Sequence, residues 1–269
     1  MSLLAVEGLA INFGGIAAID GLTCDIPEGG IFSIIGPNGA GKTTLFNVIS
    51  GINRPERGRI RFGSHDVTGL EPHRLARLGL SRTFQNLQVF FRLTALENVM
   101  VGRHRHEPKS LLAHALRLPS VRRANRDCAD KARGLLKFVG LGQDAERIAG
   151  GLPYGALKRL EIARALASEP KLLLLDEPAA GCNAVETEEI ERLIQAIARQ
   201  NVTVALVEHD MKLVMKISGR ILVLDRGRKL AEGTAAEVRA NPDVIRAYLG
   251  SQGASRGTGA ANADGNARG

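Results

Sequence analysis

The sequence predicts an α/β fold with mainly parallel central strands and a helical unit inserted between two stretches of that core. Three observations carry the prediction. Strand-like apolar runs near residues 3–7, 31–35, 171–175, 203–207 and 221–225 alternate with helical patterns near 41–50, 185–199 and 211–218, the order that builds strands joined by crossover helices. Residues 94–168, in contrast, read as helix almost throughout. Finally, GPNGAGKT at 36–43 stands between an apolar strand and a helix.

The elements follow in order. IFSII at 31–35 is a strand-sized apolar run, and TLFNVIS after Thr43 reads as the helix that leaves the glycine-rich loop. Within the helical unit, Val121, Ala124, Cys128, Ala132, Leu135, Leu136 and Val139 recur at three- and four-residue steps, the spacing of one buried helix face. Four leucines at 172–175 make a buried strand, and VTVALV makes another. No apolar stretch is long enough to span a bilayer. The tail from 251 to 269 has no large apolar residue. It cannot bury enough surface to offset its ordering entropy and is expected to be disordered.

Composition excludes little. Thirty-six basic against 28 acidic side chains leave +8, which suits nucleic acid, an anionic membrane face or phosphorylated ligands alike. Arg122, Arg123 and Arg126 read as a solvated helical face. The N-terminus has no basic leader and an early Glu7, unlike a secretory signal. Cys24, Cys128 and Cys182 form no close-spaced metal pattern and read as reduced cytosolic thiols.

The chemistry concentrates in four places. Gly36, Pro37, Asn38, Gly39, Ala40, Gly41, Lys42, Thr43 and Thr44 form a phosphate-binding loop in its required strand–loop–helix setting. Its glycines let successive N–H groups turn inward, and the helix adds its positive end. Lys42 can bridge terminal phosphates, and the Thr43 hydroxyl can ligate Mg²⁺. Asp176 closes the leucine strand, placed to hold the metal directly or through water. Glu177 follows at the carboxyl edge of the sheet, where a carboxylate can accept a proton from attacking water. His209, just past VTVALV, can donate to a γ-phosphate or be an ordinary strand-end histidine. Gln85 in SRTFQN can be a plain surface amide.

Together, the loop at 36–43, Gln85, LPYGA at 152–156, LLLLDE at 172–177 and His209 resemble the ATP-binding subunits of ABC transporters. The resemblance covers nearly everything up to about residue 250. It implies a P-loop NTPase core of the ABC ATPase type with an antiparallel β edge, spanning 1–93 and 169–250. A helical subdomain at 94–168 would carry the signature region. ATP and Mg²⁺ are the implied ligands, with Thr43, Gln85 and Asp176 around the metal. Gln85 would sense the γ-phosphate, Glu177 would be the catalytic carboxylate and His209 the switch histidine. Phe13 falls where the family stacks a ring on adenine; as a bare residue it reads equally as core. SRTFQN, LEIARAL, DEPAAG, EHDMKLVM and NPDVIRAYLG are similar to the branched-chain amino-acid uptake ATPases of the LivG type. The helical insertion around 103–130 is also similar to that group. ATPases for urea or amide uptake and for lipopolysaccharide export are relatives of that group.

Against the family's L-S-G-G-Q, LPYGA keeps Leu152 and Gly155. Pro153 replaces the serine, Tyr154 the first glycine and Ala156 the glutamine. Leu152, Tyr154 and Gly155 are the implied nucleotide contacts, made to a site on the opposite subunit. Pro153 removes a hydroxyl and a backbone donor yet fits the start of a helix, so the signature is weakened rather than absent. In AAGCN, Asn183 stands where many members have aspartate, and Cys182 reads as packed. The resemblance implies integral membrane permease subunits as partners, through the region Phe84–Phe91. Phe84, Phe90 and Phe91 read equally as subdomain core. It also implies a second ABC ATPase or a second copy of this chain, a solute-binding protein indirectly, and no nucleic acid. The implied location is peripheral, on the cytoplasmic face of the bacterial inner membrane. A nucleic-acid-associated ATPase of this type usually has a coiled coil, zinc insertion or second ATPase copy, none of which is read here. A regulatory ATPase without turnover fits LPYGA but not the intact Lys42, Asp176, Glu177 and His209.

Overall fold

The computed structural model describes residues 2–104 and 119–248, with only the backbone described at 119–122. Residues 105–118 of the expected insertion around 103–130, and all of the 251–269 tail, lie outside the described residues. Within them, ten strands form two sheets. The first is antiparallel, in the order β2-β1-β4-β5, from β1 (Ser2–Phe13), β2 (Ile16–Pro27), β4 (Arg57–Phe62) and β5 (His65–Asp66). The second runs β10-β9-β3-β8-β7-β6. Its strands are β3 (Ile31–Ile35), β6 (Leu80–Arg82), β7 (Leu172–Asp176), β8 (Thr203–Val207), β9 (Arg220–Asp225) and β10 (Arg228–Gly233). All its neighbours pair parallel except β10, which returns antiparallel along β9.

β3, β7 and β8 are buried at every residue, which is why they read as unbroken apolar runs rather than alternating ones. Their side chains still alternate in direction. Leu172 and Leu174 join Phe32, Ile34 and the antiparallel-sheet residues Leu4 and Ile60 in one cluster. Leu45, Phe46, Val48 and Ile49 of the helix Lys42–Ile49 complete that cluster, so this helix is held between the two sheets. Leu173 and Leu175 face the other way, onto Ile190 and Ile194 of the helix Ala184–Arg199 and onto Leu136 and Leu160 of the inserted helices.

The expected elements fall close to the observed ones, with β3 and β8 coinciding and the three core helices within about two residues at each end. Strands β2, β4, β5, β6 and β10 had no sequence signal. β4, RGRIRF, buries only Ile60 and Phe62, and β6 is three residues long. The segment 94–168 is less helical than its pattern implies. The helices Ala95–Gly102, Pro119–Phe138 and Tyr154–Leu166 are separated, after 138, by short 3₁₀ turns and a bridge between Thr94 and Ile148. In the predicted stripe, Cys128, Ala132 and Leu136 are buried, Leu135 is half-buried, and Val139 is buried just beyond the helix.

Register decides where the chemistry emerges. Ile34 and Asp176 both pair with Val207, so the residues that follow β3, β7 and β8 leave one edge of the sheet side by side.

Candidate nucleotide site

The loop after β3 is shaped by sterics that only glycine meets. A Cβ at Gly36 would lie 2.2 Å from the Leu224 carbonyl oxygen of β9, and one at Gly41 would lie 2.5 Å from Ala18 O of β2. Gly41 is left-handed (φ 98°) and precedes Lys42–Ile49 without a side-chain cap, leaving the first-turn N–H groups open to an anion. Ala40 is not a contact surface. Its methyl is buried and its carbonyl accepts from Gly227 N–H at 3.0 Å. Asn38, Gly39 and Thr43 are exposed, and Thr44 is half-buried. Lys42 Nζ donates to Gly36 O (2.8 Å) and Pro37 O (3.0 Å), spanning the loop from within. Burial pulls its pKa down against the opposing pull of Glu177 and Asp176.

Asp176 and Glu177 part company at the end of β7. Asp176 turns inward, and its Oδ2 accepts from Arg82 Nη2 at 2.8 Å with both side chains buried. Burial raises its pKa, and the Arg82 bond opposes the rise. Asp176 Oδ1 is buried with no hydrogen-bond partner. A buried carboxylate oxygen without a donor suits a hard cation or a water on one, so the residues fit Mg²⁺, with Thr43 and Gln85 as the other named oxygens. Among the described residues no group of three or more His, Cys, Asp or Glu could hold a metal. A metal held by one carboxylate, a hydroxyl and substrate phosphates is the pattern for Mg²⁺.

Glu177 takes a left-handed conformation (φ 49°), and its N–H donates to Val207 O at 2.9 Å. That turn directs its carboxylate outward. Gln85 Nε2 donates to Glu177 Oε2 at 3.2 Å, and His209 Nδ1 stands 3.9 Å from the same oxygen. Gln85, Glu177 and His209, which the sequence placed separately, are thus one group.

Three supporting residues carried no signal beyond their presence in quoted motifs. Arg82 binds Asp176 while its Nη1 donates to Asn47 Oδ1 (2.7 Å) and Ser50 Oγ (2.8 Å), tying β6 and β7 to the phosphate-loop helix. Glu208 is buried, with its pKa raised by that burial; it accepts from Ala179 N–H (3.1 Å) and His209 N–H (3.2 Å). Glu161 is buried on the helix Tyr154–Leu166 and accepts from the N–H groups of Phe84 (3.4 Å) and Gln88 (3.3 Å) on either side of Gln85. A pairing between an isolated mid-helix glutamate and a loop about 75 residues away is a tertiary fact that periodicity does not report.

The LPYGA stretch docks on its own chain. Leu152 and Ala156 are buried in the core, so neither side chain is a ligand contact. Pro153 occupies the N-cap position, and the helix begins at Tyr154. Tyr154 Oη donates to Ala180 O at 3.2 Å, and Gly155 N–H donates to Glu186 Oε1 at 3.2 Å. Glu186 Oε2 meanwhile accepts from Asn183 N–H at 3.0 Å in a capping box with Asn183. Cys182 packs, half-buried, against the same cluster.

The aromatic residues resolve toward the surface. Phe13 is 47% exposed at the end of β1, so it is not core, and its hairpin partner Ile16 is 75% exposed. Phe84, Phe90 and Phe91 are also exposed, with Arg82 over the Phe84 ring and Arg164 over Phe90. Beside Phe84 a cavity of about 210 Å³ is lined by Ile52, Ala76, Leu80 and Arg82.

A glycine cradle with a lysine, a metal-suited aspartate and a polar trio at one sheet edge is the arrangement of an ATP-hydrolysing cassette, and the chain belongs to the ABC transporter family, whose family model matches residues 19–180. A second model, for the branched-chain amino acid ATP-binding cassette transporter, matches residues 228–254. The chain is 47% identical to the high-affinity branched-chain amino acid transport ATP-binding protein BraF of Pseudomonas aeruginosa, over 92% of this chain and 98% of that one. It is 45% identical to LivG of Escherichia coli, which has the same description, over the same shares. Among solved structures it resembles the ADP conformation of MJ1267, an ATP-binding cassette of an ABC transporter. The TM-score is 0.81 at 32% identity, covering 93% of this chain and 99% of that one. No helix among the described residues is long and apolar enough to cross a membrane.

Proposed function

We propose that this ATPase energises the uptake of branched-chain amino acids. The observation that supports the solute is the 47% identity to a branched-chain transport ATPase along nearly the whole of both chains. In this reading, residues 1–93 and 169–250 form the ATP-binding core and 94–168 the helical subdomain. The protein sits peripherally at the cytoplasmic face of the inner membrane, against permease subunits. Exposed Phe84, Phe90 and Phe91 and the adjoining cavity support contact there. A second, different ATPase completes the dimer.

The chain's residues divide the work. Phe13 gives the adenine an exposed ring. The N–H groups of Asn38, Gly39 and 41–44, with Lys42, take the phosphates, while the Ala40 N–H stays bonded to Pro37 O. Thr43, Asp176 and Gln85 hold Mg²⁺, which supplies charge neutralisation at the phosphate oxygens. Glu177 accepts the proton of the attacking water; Gln85 and His209, at 3.2 and 3.9 Å from its Oε2, orient it. Leu152, Tyr154 and Gly155 belong to the partner's site, where a phosphate would displace Glu186 Oε1 from the Gly155 N–H.

Transport in a strain lacking its own branched-chain ATPases tests the solute. Complementation by this chain together with its permease and second ATPase should restore leucine, isoleucine and valine uptake and leave urea uptake unchanged. Restored urea uptake alone would overturn the solute assignment while leaving the ATPase intact.

A further inference from the structure

We infer that Glu161 is a positioning residue for Gln85, holding the loop that carries this glutamine through one carboxylate oxygen bonded to a backbone N–H on each side of it. The inference rests on the role proposed for Gln85 and is independent of the solute transported.

Between β6 and the helix Ala95–Gly102 the chain changes its support. Up to Thr83 it belongs to the core sheet. Thr83 N–H donates to Leu174 O of β7 at 2.9 Å, and the Thr83 hydroxyl accepts from Asp176 N–H at 3.4 Å. From Phe84 to Phe90, two side chains of the helical unit hold its backbone. Glu161 Oε1 accepts from Phe84 N–H (3.4 Å) and Gln88 N–H (3.3 Å). Asn98 Oδ1 accepts from Phe90 N–H (2.9 Å), while its Nδ2 donates back to Phe90 O (3.0 Å) and to Thr94 O (2.9 Å). Glu161 is 2% exposed and Asn98 is fully enclosed, so water competes little for either anchor.

One oxygen shared by the amides of residues 84 and 88 draws that stretch into a curl, and Gln85 stands exposed on it. From there Gln85 Nε2 donates to Glu177 Oε2 at 3.2 Å. The glutamine thus reaches from a loop hung on the helical unit to a carboxylate at the edge of the core sheet. A carboxylate is a costly way to fill a buried helix face between Leu160 and Ile162. What it adds here is an acceptor long enough to meet two amides of another element. Fixing the loop in advance spares the site an ordering cost when the water and γ-phosphate must be aligned. The helix Tyr154–Leu166 that bears Glu161 also carries Gly155 in its first turn. One helix therefore joins the Gln85 loop of this site to the LPYGA contact proposed for the partner's.

Glu161→Met keeps the bulk and deletes the acceptor. In the complex with permease subunits and second ATPase, turnover at saturating ATP should fall about 10-fold or more, while the Kd for ATP stays within about 2-fold. Glu161→Gln, which keeps an oxygen at the same reach, should hold turnover within about 2-fold of wild type. The deciding arm repeats Glu161→Met in a Gln85→Ala background. There it should cost under about 2-fold more, because the group it positions is already gone. If Glu161→Met does not assemble, Glu161→Asp, whose oxygen is drawn back by one carbon, carries the same comparison. A full further loss in the Gln85→Ala background would make Glu161 a packing residue and overturn the inference, with the role of Gln85 intact. A Kd that rises as far as turnover falls would overturn it too, as would a Glu161→Gln no better than Glu161→Met. Unchanged turnover in Gln85→Ala alone would overturn the role proposed for Gln85, and the inference with it.

Discussion

The helices Lys42–Ile49 and Tyr154–Leu166 both start without a side-chain cap, and both carry a proposed phosphate contact, yet their first turns are in opposite conditions. Before Lys42, Ala40 bonds to Pro37 within the loop and to Gly227 in the turn between β9 and β10, and no side chain takes the helix's leading N–H groups. At Tyr154, Glu186 already holds the Gly155 N–H, and Tyr154 is tied to Ala180. One anion site is open to a ligand; the other is satisfied by the chain's own carboxylate. They share the helix dipole but differ in the residue that leads in, Gly41 left-handed and Pro153 extended, and in who supplies the acceptor. In the proposed dimer a phosphate from another subunit would compete with Glu186, whereas one bound at 36–43 would meet the Lys42 ammonium.

Substitutions can break or sharpen that contrast. The largest effect belongs to the open end. Glu177→Gln should lower turnover by roughly 10²–10⁴-fold while ATP binding persists, measured as phosphate release at saturating ATP beside an equilibrium binding curve. Retained turnover would move the base elsewhere. Next comes a matched pair of glycine changes. Gly36→Ala drives a Cβ to 2.2 Å from a backbone oxygen that cannot retreat, so we expect a loss of about 1–3 kcal/mol in stability and of ATP affinity. Gly155→Ala meets the flexible end of Glu186 at 2.6 Å, and should cost under about 1 kcal/mol as that side chain swings aside. Denaturant midpoints rank the two, and equal losses would erase the distinction.

A pH effect comes third. Burial raises the Glu161 carboxyl above its ordinary 4.5, opposed by the Phe84 and Gln88 N–H groups. A raised folded-state value stabilises the fold fully below 4.5, and the gain is lost as pH rises through the folded value. Glu161→Gln keeps an acceptor for both N–H groups and removes that linkage. The fall of Tm from pH 4.5 toward neutrality should be shallower in the variant; identical slopes would place the linkage on Asp176 and Glu208, which share its direction. The smallest effect is expected from Pro153→Ser. Beside a second ATPase with an intact signature, overall turnover should change less than about 2-fold, read as specific activity against protein concentration. A large gain would make LPYGA the limiting half-site. Ala156→Gln is a poorer probe, because Ala156 is buried and the longer side chain would overpack its neighbours.

Much of this was legible in the residues, and the gaps have causes. GPNGAGKT and LLLLDE declare themselves because a buried parallel strand is an unbroken apolar run and a phosphate cradle needs glycine at set positions. β4 and β6 are hidden because one or two buried side chains make no pattern. Gln85, Glu177 and His209 could be named singly. Their meeting depends on the register that pairs both Ile34 and Asp176 with Val207. Arg82, Glu161 and Glu208 act across the fold, and no local spacing marks them. The sequence reads Pro153 as a weakening change and gives no hint of Glu186, absent from any motif, which occupies the amide at Gly155.

The left-handed backbone at Glu177 has a consequence for how this sequence can drift. A glutamate held at φ 49° costs on the order of 1 kcal/mol over a glycine in the same turn. The more stable protein therefore lies one substitution away and lacks the proposed base. Selection for robustness alone would take that step, and under the proposed role it is turnover that would hold the carboxylate against it.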